Sequence, residues 1–477
     1  MAGFSIFPSV NELVSPGKRG FSGGEKVTVL KKGFDIKLEG AAPGNIDGSA
    51  SANTFAMQPP NFRGIAPIPK VVVEIGDNVK AGDHLFFNKK TPDVKYVAPV
   101  SGEVVAINRG DRRSITEIVI LADKQQQYRQ LPAFDLGKSS REELANYLFD
   151  TGGWTLLRSR PFDTVAGMHD VPRDIFISTF DTAPLAPNLD IVVEGQGEAF
   201  QKGLDVLAKL TPGQVHLGLN AGGKKAPSPV FAEAKNVQKH WFSGKHPAGN
   251  VGIQIHHIAP ITPSCTVWTL GVQEVIVLGK IFTEGRWNTE RVVALTGAEL
   301  DEPKYVRTLA GANVGELLKG NLSGDNVRLI SGDVLSGQKK SAANFLNFFD
   351  DQLTVIEEGN YYEMFGWLLP SKPVPTVSKS IPSAALFPNT LYKGDTNMHG
   401  EKRAFVMTGE YESVLPMDIY PQHLMKAVLT NDYEKMEGLG IHELVEEDIA
   451  LCEFVCTSKQ PLQKILRTGL DMMNEQG

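Results

Sequence analysis

Cysteine is scarce: the chain of 477 residues has three, Cys265, Cys452 and Cys456. Three thiols cannot build a disulfide framework, and they suit a reducing compartment. An iron–sulfur cluster needs four thiolates, so these fall short of one, and no C-x2-C spacing occurs. Long hydrophobic runs are missing as well. The most apolar stretch, Cys265 to Phe282, carries Gln273, Glu274 and Lys280, and it falls short of the roughly 20 apolar residues that span a bilayer. At the start, MAGFSIFPSVNELV has no basic leader, and Pro8, Asn11 and Glu12 break it before an apolar signal core develops. A cytoplasmic protein is expected. Positive charge is not in excess either: the net charge is −7, and no Lys/Arg cluster is interleaved with aromatics, which argues against nucleic acid as a partner. Zincin helices and kinase signatures are absent from the sequence.

What the chain has is core-forming material, 42% apolar residues against 22% charged, enough for three or four domains of about 150 residues or less. The most organised stretch is 67–108. It holds two facing half-motifs, VVVEIGDNVKAGD at 71–83 and APVSGEV at 98–104. Each is a short β-rich run closed by a turn where Gly supplies positive φ and Asp bonds its own backbone. The pattern resembles the biotinyl/lipoyl-type barrel-sandwich hybrid. In carriers of that family the hairpin presents a modified lysine. Here Lys89 and Lys90 stand at the hairpin, but Pro92 occupies the expected position, so the module is read as structural.

The rest divides by pattern. Residues 1–28 read as a flexible Gly/Ser/Pro-rich arm, and the domain containing the barrel-sandwich hybrid spans 29–138, with an additional strand at 31–38. A capped helix opens at Ser139–Ser140, and an open Rossmann-like α/β domain follows over 139–274. Its expected strands lie at 174–179, 190–194 and 214–219, and its helices at 198–209 and 232–239. Short strands around a helix at 313–318 indicate a β-grasp domain over 275–345. A mainly helical domain closes the chain over 346–477.

The motifs that would carry chemistry are incomplete. Gly218–Lys225 (GLNAGGKK) nearly matches a phosphate loop, but Lys225 stands where a hydroxyl must hold magnesium, and Pro227 and Pro229 oppose the helix that would follow. Gly195-Gln196-Gly197 offers a dinucleotide-type turn whose third glycine is replaced by Phe200 and whose flanks are Glu194 and Glu198. His256 and His257, read as neighbours on a strand, would point to opposite faces and could not both chelate easily; His246 and Cys265 could join one of them only where the fold brings them together. Cys452 and Cys456 share one helical face as buried thiols. Arg158 and Arg160 could clamp an anion.

Several stretches nonetheless match one family in order: KKGFDIKLEGAA at 31–42, WTLLRSRPFD at 154–163, KHPAGNVGIQIHH at 245–257, VWTLGVQEVIVLGKIFTEG at 267–285, RVVALTGAELDEP at 291–303, RLISGDVLSG at 328–337 and DIALCEFVCTSK at 448–459. From about residue 30 to its end the chain resembles the A subunits of the sodium-translocating NADH:quinone reductases (Na+-NQR). That resemblance implies a peripheral component on the cytoplasmic face of the bacterial inner membrane, one of six in a pump that couples NADH oxidation and quinone reduction to sodium export. NADH, FAD, FMN, riboflavin and [2Fe–2S] would belong to the other five subunits and none to this one. Its main partner would be the membrane-embedded B subunit at the quinone site, with Arg158, Arg160, Lys245 and His246 as candidate polar contacts near the quinone. The family is related to the NADH-binding subunit of complex I and to the Rnf C subunit, which share the α/β and soluble-ligand-binding (SLBB-like) β-grasp arrangement. A working flavin- and NADH-binding dehydrogenase of the complex I type is therefore the competing expectation.

Overall fold

The computed structural model describes residues 20–22, 24–47, 51–364, 374–377 and 390–476. Most of the expected arm, and part of the chain after Met364, lies outside them. The barrel-sandwich module has two antiparallel sheets. One is ordered Thr54–Met57, Ile115–Ala122, Gly102–Arg109, Asn78–Val79, and the other Lys70–Val71, His84–Asn88, Thr91–Val97. Leu85, Phe86, Val94 and Tyr96 of one sheet and Val104, Ile118 and Ile120 of the other share a core. Its two turns form as their residues demand: Gly76 and Gly82 have φ of +98° and +94°, while Asp77 and Asp83 accept from the backbone N–H groups of Glu74 and Lys80 at 2.8 Å. Lys89 and Lys90 are exposed at the hairpin tip.

The α/β domain carries a seven-stranded sheet in the order Val27–Val29, Gln238–Ser243, Val215–Asn220, Ile175–Ser178, Val267–Thr269, Arg158–Arg160, Thr164–Val165. The first five strands are parallel, and each of the last two pairs antiparallel to the strand before it. Its helices are α1 (Arg141–Thr151), with a complete Ser140/Glu143 capping box, α2 (Gly197–Leu210), α3 (Val251–Ile258) and α4 (Val272–Thr283). A six-stranded sheet follows, ordered Gln338–Lys340, Val327–Ser331, Gln352–Glu357, Glu290–Thr296, Lys304–Leu309, Ile46–Asp47. The short helix Val314–Leu317, capped by the Asn313 side chain, belongs with it. Five helices between Glu410 and Gln476 build the last domain on their own apolar core, α5 (Glu446–Val455) and α6 (Leu462–Gln476) among them.

Several sequence expectations need correction. Residues 190–194 are not a strand: Leu189–Val192 is a turn of helix, started by the Asn188 side chain accepting from the Asp190 N–H. The helix expected at 232–239 gives way to a short helix at Pro229–Ala232 and the strand Gln238–Ser243. Residues 31–38 form no strand beyond a single bridge from Leu38 to Tyr392. His256 and His257 sit on α3, not on a strand. Helix α4 runs through the boundary drawn at 274/275 and packs on α2, and the strand Gln352–Glu357 lies inside the β-grasp sheet, beyond residue 345. No helix among the described residues is long and apolar enough to cross a membrane.

Candidate functional site

In an open parallel sheet, ligands gather outside the carboxyl ends of the strands where the connections reverse direction. Here the chain leaves Ile175–Ser178 toward Val215–Asn220 on one side and returns to Val267–Thr269 on the other, so the reversal lies between Ser178 and Thr269. A cavity of about 370 Å3 opens there. The α/β domain lines it with Arg158, Asp163, Asp181 and His246, the barrel-sandwich domain with Arg63, the β-grasp unit with Asp333, Asp350 and Asp351, and α5 with Glu446 and Glu447. All four folded units meet at one place.

Carboxylates dominate the wall, and most of them are held by arginine. Asp163 lies 2.7 Å from Arg63 and 3.6 Å from Arg158; burial opposes its charge, but these two guanidinium groups, together with Arg160 and Arg467, outweigh burial and hold its carboxyl below the usual range. Arg63 also reaches Glu446 at 2.9 Å, and Arg467 of α6 grips the same carboxylate. Behind the wall, Arg160 is 2% exposed and bonds Glu447 at 2.7 Å and the fully buried Asp448 at 2.9 Å. Burial pushes Glu447 up to about 7 and Asp448 above its usual range, against the pull of Arg160. A second buried set joins Arg291 to Glu274 at 2.7 Å and to Asp351 at 3.3 Å.

Burial raises the Asp351 carboxyl to about 8 although Arg291 pulls it down. The folded chain thus keeps a proton there that the unfolded chain releases above about pH 4. Stabilisation from that proton is complete below the unfolded pKa and is lost as pH rises through the folded one. Asp351→Asn should therefore gain about 1–2 kcal/mol on the parent chain between pH 6 and pH 9, read from urea midpoints at each pH. Equal midpoint shifts at both pH values would contradict this.

Of the four polar candidates, the structure brings Arg158 and His246 to the cavity. Arg158 also stacks over Phe349, 5.1 Å from the ring centre. Arg160 sits behind the wall in its ion cluster, and Lys245 is exposed and does not border the cavity. The other motifs resolve into fold contacts. Neither glycine loop lines the cavity. Gly195-Gln196-Gly197 follows a helical turn instead of a strand, and Gly218 is small because the Gln254 amide fills the space where a side chain would go. His256 bonds Glu443 through Nδ1 and accepts the Asp418 N–H at Nε2, while His257 meets the Pro416 carbonyl, so both histidines fasten α3 to the last domain. Among the described residues no cluster of three or more His, Cys, Asp or Glu could hold a metal. Cys452 and Cys456 are buried; the Tyr411 hydroxyl donates to Cys456 Sγ, and burial pushes the Cys452 thiol up.

Sequence reasoning misses the carboxylate wall. Glu446-Glu447-Asp448 reads only as an acidic first turn of a helix, and Asp350-Asp351 as a polar loop; nothing local says that Glu446, Glu447, Asp448 and Asp351 each face an arginine more than fifty positions away.

Two helix N-termini open on the cavity, those of α3 and α4, through Asn250-Val251 and Gly271-Val272. The chain's own carboxylates already occupy both. A side chain at Gly252 would collide with the Asp448 carboxylate, and one at Gly271 with that of Glu274. A helix N-terminus favours a negative group within its first turn, and here Asp448 and Glu274 supply it.

Comparison with known proteins agrees with this architecture. Three family models match consecutive parts of the chain: the NqrA N-terminal barrel-sandwich hybrid domain over 28–123, the NqrA second alpha/beta domain over 139–287 and the NQRA C-terminal (SLBB) domain over 292–342. The A subunit of the Na(+)-translocating NADH-quinone reductase of Yersinia pestis bv. Antiqua (strain Angola) is 39% identical over 451 residues, covering 94% of this chain and 99% of its own. Those of Serratia proteamaculans (strain 568) and Hahella chejuensis (strain KCTC 2396) are 37% and 38% identical over 453 and 452 residues, with the same coverage. Among solved structures, the NAD+-reducing [NiFe]-hydrogenase in the H2-reduced state aligns with 70% of this chain and 63% of its own, at 12% identity and a TM-score of 0.38, a likeness too slight to carry an argument. With near-complete coverage at this identity and all three domain models in order, the chain belongs to the NqrA family, the A subunits of the Na+-translocating NADH-quinone reductases.

Proposed function

We propose that this chain is a cofactor-free peripheral subunit of a sodium-pumping NADH:quinone reductase. It docks at the cytoplasmic face of the bacterial inner membrane on the membrane subunits near the quinone-reducing site, chiefly the B subunit. The complex couples NADH oxidation and quinone reduction to Na+ export, with NADH and the flavins and [2Fe–2S] cluster handled by its other subunits. A quinone head group reaching this chain would meet Arg158 and His246, the two polar candidates that border the cavity.

One observation carries the cofactor-free reading: the anion places at the switch-point helices are taken by Asp448 and Glu274, each locked to a buried arginine. A flavin phosphate or a dinucleotide pyrophosphate needs the amides of such a helix start, and it would meet a wall of carboxylates around it. Neither glycine loop offers a replacement cradle.

The test is the visible spectrum of the purified chain, with denaturation to release any bound chromophore. A featureless spectrum is the expected result. Flavin bands at near-stoichiometric yield would overturn the reading in favour of a dehydrogenase that binds flavin and NADH itself.

A further inference from the structure

Once the arginine-held carboxylates are set aside, together with Asp350, which accepts from the Ser331 hydroxyl and the Asn347 amide, two acidic groups on the cavity wall remain. Among the described residues, neither Asp181 nor Asp333 has a lysine or arginine within ion-pairing distance. Asp181 accepts the Ala183 N–H, and Asp333 accepts the N–H groups of Leu335 and Ser336 and the Ser336 hydroxyl. Those bonds shape the two turns but leave both charges unopposed. Each raises the proton affinity of its neighbourhood: Asp181 is pushed above the usual carboxylate range by burial and by Asp333.

Beside them lies His246, 3% exposed. Its backbone N–H donates to Asp35, and Nδ1 lies 3.2 Å from the Thr182 hydroxyl, which itself accepts the Gly249 N–H. Nε2 has no hydrogen-bond partner. A buried ring nitrogen without a partner is costly, so it marks a place where a group from outside the chain completes the structure. Burial holds this imidazole neutral by lowering its pKa, which makes an Nε2 acceptor available when Nδ1 carries the proton.

We infer that the corner of the cavity formed by Asp181, His246 and Asp333 binds an ammonium or guanidinium group. Two uncompensated carboxylates supply the charge, and His246 Nε2 supplies the third acceptor. A cavity of about 370 Å3 admits the alkyl chain that carries such a head group. That cation comes either as a free alkylamine or as the Lys or Arg side chain of another protein. The site stands on the isolated chain's own residues and does not depend on the docking reading.

Calorimetric titration of the full chain with agmatine, which carries both an amine and a guanidinium, tests the site. Asp181→Asn and Asp333→Asn are the informative variants, because an amide oxygen can keep each turn's N–H bonds while the charge is lost. Two separate variants guard against one failing to fold. Agmatine should bind the parent chain and lose at least about tenfold in affinity in either variant. A short peptide with one central lysine, compared with its norleucine counterpart, separates the sources. Tighter binding of the lysine peptide than of agmatine assigns the site to a protein side chain, and the reverse assigns it to a free amine. Three results would overturn the inference: no binding of agmatine or peptide at millimolar concentration, binding that both variants retain, and displacement by an equal concentration of sodium chloride.

Discussion

Arg160→Met should destabilise the chain by about 3–5 kcal/mol, the range for removing one member of a buried ion pair. The guanidinium is 2% exposed and faces two carboxylates, one of them fully buried. Its own charge is reinforced: burial works against it, but Asp448 and Glu447 raise its pKa further. Without it, Asp448 would keep only the Val445 N–H at the start of its own helix and the nearby N-terminus of α3. Either Asp448 takes up a proton or α5 moves away from the α/β domain. The loss would appear as a lower urea midpoint, and the double change Arg160→Met with Asp448→Leu should recover part of it, since replacing both ions by apolar groups removes the stranded charge. A loss under about 1 kcal/mol for the single change would show that the cluster is far better hydrated than its burial indicates.

Gly279→Val should be at least as damaging. Helices α2 and α4 cross where Gly203 faces Val275 and Gly279 faces Ala199. A Cβ at 279 would fall on the Ala199 carbonyl oxygen, and one at 203 on the Val275 carbonyl oxygen. Backbone cannot rotate away as a side chain can, so the helices must separate and unpack the Phe200, Leu204 and Leu207 face of α2. Overpacking of this kind costs about 1–3 kcal/mol when side chains yield, and more is expected when only backbone can. Soluble yield and urea midpoint both report it. Gly438→Ala is the control: it ends a short helix, a Cβ there meets nothing within 4 Å, and a gain of up to about 1 kcal/mol is expected. A loss at Gly438 as large as the loss at Gly279 would show that contact between the helices is not its cause.

These glycines also show where sequence reading stops. Features whose cause is local can be read directly: the Gly76 and Gly82 turns, the Ser140 capping box, the Asn313 cap and the alternation in the barrel-sandwich strands. Helix α4 is obscured because VQEVIVLGKIFT is buried on nearly every side, which removes the 3.6-residue alternation that separates helix from strand. The β-branched run of α3, VGIQIHHI, misleads in the same way, and its two histidines take on a false strand geometry. Leu189–Val192 escapes because a run of four apolar or acidic residues fits either period, and only the Asn188 cap decides. For the site, Arg158 and His246 can be named from residue type and a family match. The acidic half of the wall cannot, because it is assembled from three units by long-range pairing, with Arg160 and Asp448 288 positions apart.

The strand Val27–Val29 closes the edge of a sheet whose adjoining strand, Gln238–Ser243, is synthesised far later; Glu25 and Trp241, which bond across this edge, are 216 positions apart. Residues 46–47 likewise complete the edge of the β-grasp sheet beside Tyr305 and Val306. On the ribosome, then, these two short strands have no sheet to join until residues 238–243 and 304–309 have been made. Closing so long a loop is slow, so these two sheets are completed only after sequence-distant strands have met. A fragment cut at the domain boundaries would carry a bare strand edge, open to pairing with other copies.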